Sequence, residues 1–223
     1  NAFYNISNRK SMDYSNFLGM RDELSLLVVI VLLFLYDTFG SVKSLKCFSA
    51  TACVLLLAHT IFTIVPGEQV SLFGGMYQSG PATSVIKTIL NIGTLLVLIQ
   101  ASSWIKNEDV IIRRGEYYVL TLITLLGMYL MTSSGNFLLF FLGLETASLP
   151  ITALVAMEKY KHDSHEAAAK YVFIAVFSSA LMLLGISYLY GIGGTLYFDD
   201  LSYMLGVSPL LIVGLVFFIA GLG

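Results

Sequence analysis

Gly135-Asn136-Phe137-Leu138-Leu139-Phe140-Phe141-Leu142-Gly143-Leu144-Glu145-Thr146-Ala147-Ser148-Leu149-Pro150 is a strongly apolar run with one carboxylate near its middle. Its membrane-spanning character decides the fold class. A charged group at the bilayer centre costs about 2.5–3.5 kcal/mol on insertion scales. A chain keeps such a group only where something faces it, so Glu145 is a candidate functional residue. Pro150 adds a second oddity, because it has no N–H for the carbonyl of Thr146. It predicts a helix break one turn beyond the carboxylate.

The rest of the chain fits that setting. Of 223 residues, 57% are hydrophobic and 12% charged, and the mean hydropathy is +0.83. Soluble domains carry about 25% charged residues, so half that value with long apolar runs places the chain in a lipid bilayer. The net charge is −2 and no basic stripe exists, so no nucleic-acid partner is expected. Cys47 and Cys53 share one apolar run, and at about 100° per residue they point to different faces of a helix, which predicts no disulfide between them.

Seven apolar segments, residues 24–39, 47–65, 84–105, 117–132, 136–157, 167–190 and 208–223, have nearly the length that crosses a bilayer core. The expected fold class is therefore all-α, a polytopic membrane protein with about seven transmembrane helices. Residues 1–23 form a polar N-terminal segment and 24–223 the membrane domain. Within the former, Asn1-Ala2 is a candidate tag remnant and Met12 a candidate natural start, which sets residues 1–11 apart. Mixed charges precede the first apolar segment and no small-residue cleavage site follows it, so it does not read as a signal peptide. The last segment stops without a polar cap, so the chain reads as truncated, a piece of a longer one.

Loop charge sets the orientation. Lys43, Lys46, Lys106, Arg113, Arg114, Lys159 and Lys161 follow the first, third and fifth segments, whereas the loops after the second, fourth and sixth hold no Lys or Arg. The positive-inside rule puts the first set in the cytoplasm and the N-terminus outside. Arg9, Lys10 and Arg21 argue the other way but are outnumbered. Trp104, Tyr117, Tyr118, Tyr188 and Tyr190 sit at segment ends as an aromatic belt does. Loop tips such as Pro66-Gly67, Gly74-Gly75 and Gly193-Gly194 carry turn chemistry. Gly93, Gly127, Gly143, Gly185 and Gly214 lie inside segments, where they allow close helix approach.

Five ionisable residues fall inside the segments: Asp37, His59, Lys87, Glu145 and Lys170. Lys87 is expected to snorkel to the outer interface, Asp37 to face cytoplasmic water, and His59 to bond a neighbouring helix. These three are the weaker candidates. Glu145 lies roughly 13–18 Å from either surface at 1.5 Å per residue, too deep for a glutamate to snorkel. Its protonation is balanced between desolvation, which favours the neutral form, and a nearby cation, which favours the charged one. Lys170 enters the sixth segment from the side on which the fifth ends, and it has two readings: a water bridge toward Glu145, or a pair with Glu166 one turn earlier. His162 and His165 lie in a charged loop that reads as solvated, so no metal site is expected.

The run Leu144-Glu145-Thr146-Ala147-Ser148-Leu149-Pro150, with Ala153-Leu154-Val155-Ala156, Glu166-Ala167-Ala168-Ala169-Lys170-Tyr171 and Ser178 through Gly191, resembles the subunit N family of proton-pumping NADH–quinone oxidoreductase, respiratory complex I. So do Arg21-Asp22-Glu23-Leu24 through Asp37-Thr38-Phe39 and the final Gly221-Leu222-Gly223. The resemblance implies an antiporter-like membrane subunit built from inverted repeats, of which this chain is the N-terminal half. It implies proton-translocating roles for Glu145 and Lys170, with a further lysine expected beyond Gly223. It also implies no redox cofactor in this subunit, NADH and quinone being used by the complex. Other membrane-arm subunits and the lipid bilayer are the implied partners, in a bacterial-type plasma (inner) membrane rather than an organellar one. The competing readings are a subunit of a multi-subunit cation/proton antiporter, a seven-helix receptor, and a purely structural membrane subunit.

Overall fold

The computed structural model describes residues 15–40, 47–65, 69–105, 113–158, 162–204 and 209–222. Residues 1–14, the Pro66-Gly67 turn and Lys43, Lys46, Lys106, Lys159 and Lys161 lie outside the described residues. After a helical turn at Ser15–Leu18 come α1 (Arg21–Phe39), α2 (Phe48–Ile64), α3 (Pro81–Trp104), α4 (Arg114–Thr132), α5 (Phe137–Val155), α6 (His162–Gly193), α7 (Phe198–Met204) and α8 (Pro209–Leu222). Each of the expected apolar segments coincides with a helix. By length and composition, α3, α5 and Asp163–Gly193 within α6 suffice to cross a membrane, and α2 and α8 are shorter apolar helices. At 1.5 Å per residue α6 is about 48 Å long, well beyond a hydrocarbon core of about 30 Å.

Two features were absent from the sequence expectation. Between α2 and α3, β1 (Val70–Leu72) and β2 (Tyr77–Ser79) form an antiparallel hairpin with Leu72 opposite Tyr77. Its turn uses Gly74 at φ +69° and Gly75 at φ +96°, backbone that glycine adopts without steric cost. The helix α7 occupies part of the stretch read as a loop after the sixth segment.

The described connections and helix ends gather at two ends. Tyr77 bridges Ser134, and Asn136 bridges Tyr197. Gly135 N donates to Met76 O at 2.7 Å, and Phe137 N to Leu196 O at 3.0 Å. The connections after α2, α4 and α6 are thus stitched together. At the opposite end Asp37 packs on Gly115, Arg113 donates to the Met157 carbonyl, and Ser164 Oγ donates to Val155 O at 2.7 Å. Helices that alternate in direction produce this sorting.

One apolar core lies among α1 to α4, built on Leu26, Leu33, Phe48, Leu56, Leu98, Leu122 and Leu125. A second joins Phe137, Met182, Ile186, Leu189, Leu201 and Leu211. Small residues seat the helix pairs: a Cβ on Gly127 would come within 2.4 Å of Ala147 N, and one on Gly185 within 2.5 Å of Phe218 N. Among the described residues Gly93 has no atom within 4 Å of such a Cβ, so it does not seat a neighbouring helix there as expected. Pro150 corrects another expectation, because α5 continues through it. The ring is buried, and the helix runs on to Val155 despite the missing hydrogen bond. Cys47 and Cys53 are free thiols.

Candidate functional site

The apolar run of α5 starts at an Asn136 cap, whose side chain accepts from Leu139 N at 2.8 Å. That cap satisfies one of the free N–H groups of the first turn. From there the helix carries Glu145, partly buried, onto the face shared with α6. Ser179 Oγ of α6 donates to Glu145 Oε1. The two residues line a groove of about 480 Å³ between α5 and α6, walled by Phe141, Leu149, Val172 and Leu183. A second cavity of about 260 Å³ is lined by Ser148, Ser178, Ser179, Tyr171 and Gly221. Hydroxyl groups thus cluster on the α6 face nearest the carboxyl.

Lys170 is not part of this pairing. Its side chain is 70% exposed and ion-paired to Glu166 one turn earlier. Ser179 lies about 13 Å further along α6 at 1.5 Å per residue. Asp37 is at the other end of α1 against Gly115, within electrostatic reach of Arg114 and Glu116. Among the described residues no group of His, Cys, Asp and Glu is arranged to hold a metal ion.

Lys87 overturns its expectation. It does not snorkel: its side chain is 0% exposed, with Nζ donating to Glu23 Oε1 at 2.7 Å and 3.6 Å from Asp22 Oδ2. The reason is the start of α1. Helix begins at Arg21 rather than at Leu24, so Asp22 and Glu23 join the first turn, where a helix dipole favours carboxylates. That turn supplies the lysine of α3 with buried counter-charges. Glu23 is further held by Tyr77 Oη at 2.8 Å on Oε2 and by Ser133 Oγ at 3.2 Å on Oε1. Burial, and then the neighbouring Glu23 charge, push the Tyr77 phenol up, so it stays protonated and donates.

The cluster reaches His59. The Lys87 ammonium sits 5.3 Å from the Tyr129 ring centroid, a cation–π distance. Tyr129 Oη donates to Asn91 Oδ1 at 2.6 Å, and Asn91 Nδ2 donates to Thr63 Oγ1 at 3.1 Å. His59 Nε2 is 3.1 Å from Tyr129 Oη, and Nδ1 is 3.1 Å from Ser25 Oγ. Among the described residues no buried side-chain polar atom is left without a partner. Reading the sequence missed Asp22, Glu23, Asn91, Tyr129 and Ser179. One signal was available: Ser84, Lys87, Asn91 and Thr94 fall on one face of α3 by helical spacing, and all four are buried.

Residues 134–223 match the family described as "NADH:quinone oxidoreductase/Mrp antiporter, TM". The chain is 51% identical over 211 residues to NADH-quinone oxidoreductase subunit N of Phocaeicola vulgatus, an alignment covering 95% of this chain and 44% of that protein. To the subunit N of Azobacteroides pseudotrichonymphae it is 45% identical over 217 residues, covering 95% and 45%. Among solved structures, a chain of respiratory complex I from Thermus thermophilus with bound aureothin superposes with a TM-score of 0.72 at 24% identity, over 90% of this chain and 43% of that one. A chain of an archaeal membrane-bound sulfane sulfur reductase gives 0.71 at 19% identity, over 92% and 44%. These likenesses establish the fold. The chain spans less than half the length of the curated relatives it matches.

Proposed function

The chain belongs to the family of NADH:quinone oxidoreductase and Mrp-antiporter membrane subunits, and from that premise we propose that it helps translocate protons in the membrane arm of an NADH–quinone oxidoreductase. Other subunits carry electrons from NADH to quinone, and this one binds no redox cofactor. It crosses a bacterial-type plasma membrane about seven times with its N-terminus outside, as one half of an inverted-repeat subunit. The supporting observation is Glu145, a carboxyl inside an apolar helix, held by a hydroxyl of the next helix beside a groove.

The chemistry is charge coupling. Ser179 occupies Glu145 Oε1, so a proton taken at Oε2 leaves that hydrogen bond in place. A charge placed or withdrawn nearby shifts the balance between the neutral and ionised carboxyl. Water in the groove exchanges the proton, and Lys170, at the entry of α6, holds positive charge on the route to bulk water. Glu145→Gln in the complete complex is expected to lower proton pumping while assembly stays intact. Normal pumping by that variant overturns the reading.

The family description itself supports a second reading, a subunit of a multi-subunit cation/proton antiporter. Purification of the full-length protein in mild detergent separates the two. NADH-oxidising subunits are expected to co-purify; cation-antiporter subunits instead would favour the second. Membership of this family replaces the seven-helix receptor reading.

A further inference from the structure

The buried cluster on α1 to α4 holds room for one more proton, and hydrogen counting locates it. Thr63 Oγ1 donates to Thr60 O at 3.0 Å, so it accepts from Asn91 and fixes the amide orientation. Asn91 Oδ1 then takes the Tyr129 hydroxyl hydrogen at 2.6 Å. Tyr129 Oη, its hydrogen spent, accepts from His59 Nε2–H at 3.1 Å. In a neutral imidazole this leaves Nδ1 bare. Ser25 Oγ lies 3.1 Å from Nδ1 and 3.0 Å from Asp22 O, yet it has one hydrogen for two acceptors. Three hydrogens therefore serve four contacts. A proton on Nδ1 supplies the fourth: Nδ1–H donates to Ser25 Oγ, and the Ser25 hydroxyl turns to the Asp22 carbonyl.

Charge points the same way. Asp22, Glu23 and Lys87 are 4%, 4% and 0% exposed, and together they carry a formal charge of −1. Arg21 offsets it from the rim, with Nε 3.1 Å from Asp22 Oδ1 and a side chain 36% exposed, where water screens it. His59, 4% exposed, stands beside that charge, and a proton bound there would offset it from within. The ionisable groups facing this site are Arg21, Asp22 and Glu23 of α1, Tyr77 of the hairpin, Lys87 of α3 and Tyr129 of α4.

We propose that these helices form a second proton-binding site, with His59 Nδ1 as the acceptor and the Ser25 hydroxyl as the rotor that accommodates the proton. The step is simple protonation: H⁺ from water forms one N–H bond, no covalent bond breaks, and the cluster gains one positive charge. The site stands apart from Glu145 and does not depend on the reading given to that residue.

Ring-nitrogen NMR of the full-length protein carrying [15N]histidine in lipid nanodiscs tests it, with protons as the probe. One histidine signal, lost in His59→Gln, is expected as the Nε2–H tautomer near pH 8. It should become the imidazolium as the pH is lowered. Asp22→Asn is expected to move that midpoint by about one pH unit, tenfold in proton affinity. Tyr129→Phe keeps the ring volume but removes the acceptor of Nε2–H, and is expected to release the neutral form into a tautomer mixture. An Nδ1–H tautomer in the wild type, a signal that never titrates, or a tautomer indifferent to Tyr129→Phe overturns the assignment.

Discussion

At Glu145 the energetics turn on one partner. A hydrogen bond to a charged group contributes about 1.5–3 kcal/mol, so Ser179→Ala is expected to weaken the hold on the carboxylate. Proton pumping by the complex, measured in vesicles, should fall, though by less than in Glu145→Gln, because the acid itself remains. Lys87 poses the opposite case. Replacing it by Met strands Asp22 and Glu23 without their buried cation, and losing one member of a buried charge group costs about 3–5 kcal/mol. Thermal unfolding of the full-length protein in detergent should show a clear loss of stability. Adding Asp22→Asn and Glu23→Gln to that variant should recover most of it, since the uncompensated charges are then gone.

At the level of helices, stability rests on close approach. Gly127 and Gly143 let α4 and α5 touch backbone to backbone, and Gly185 and Gly221 do the same for α6 and α8. Gly127→Leu or Gly185→Leu must push a helix aside and is expected to abolish folded protein, scored as monodisperse yield. Gly93→Ala in α3 meets open space and should be neutral or stabilising by up to about 1 kcal/mol, the helix-propensity difference. The contrast shows what a single sequence discloses. Five glycines inside apolar runs looked alike; which ones face a neighbour depends on helix rotation, and only packing sets that. Glu145 was legible because a carboxylate in an unbroken apolar run is anomalous on its face. Ser179 was not, since a serine inside a helix is ordinary until its neighbour is known. Lys87 was visible as a charge, but its partner Glu23 lies 64 residues away, and apolar periodicity carries no information about such a pairing.

Over the molecule as a whole, the connections after α2, α4 and α6, which hold no Lys or Arg, are joined to one another. Membrane topology follows as a test. With Cys47 and Cys53 replaced by Ala, a cysteine at Gln78 in the hairpin or at Asp199 in α7 is expected to react with an impermeant thiol reagent applied to whole cells. One at Glu166 should react only after the membrane is opened. The reverse pattern would invert the assigned orientation. The stitched end also has a mechanical consequence. Ser133 to Asn136 are tied on one side to the hairpin and on the other to Tyr197, so α3, α4, α5 and α7 share one anchored rim. A rocking of α5 against α6 about that rim has an amplitude that grows along the lever arm. Glu145 sits about 13 Å from that fulcrum at 1.5 Å per residue. A tilt too small to disturb the rim would therefore open or shut its contact with Ser179.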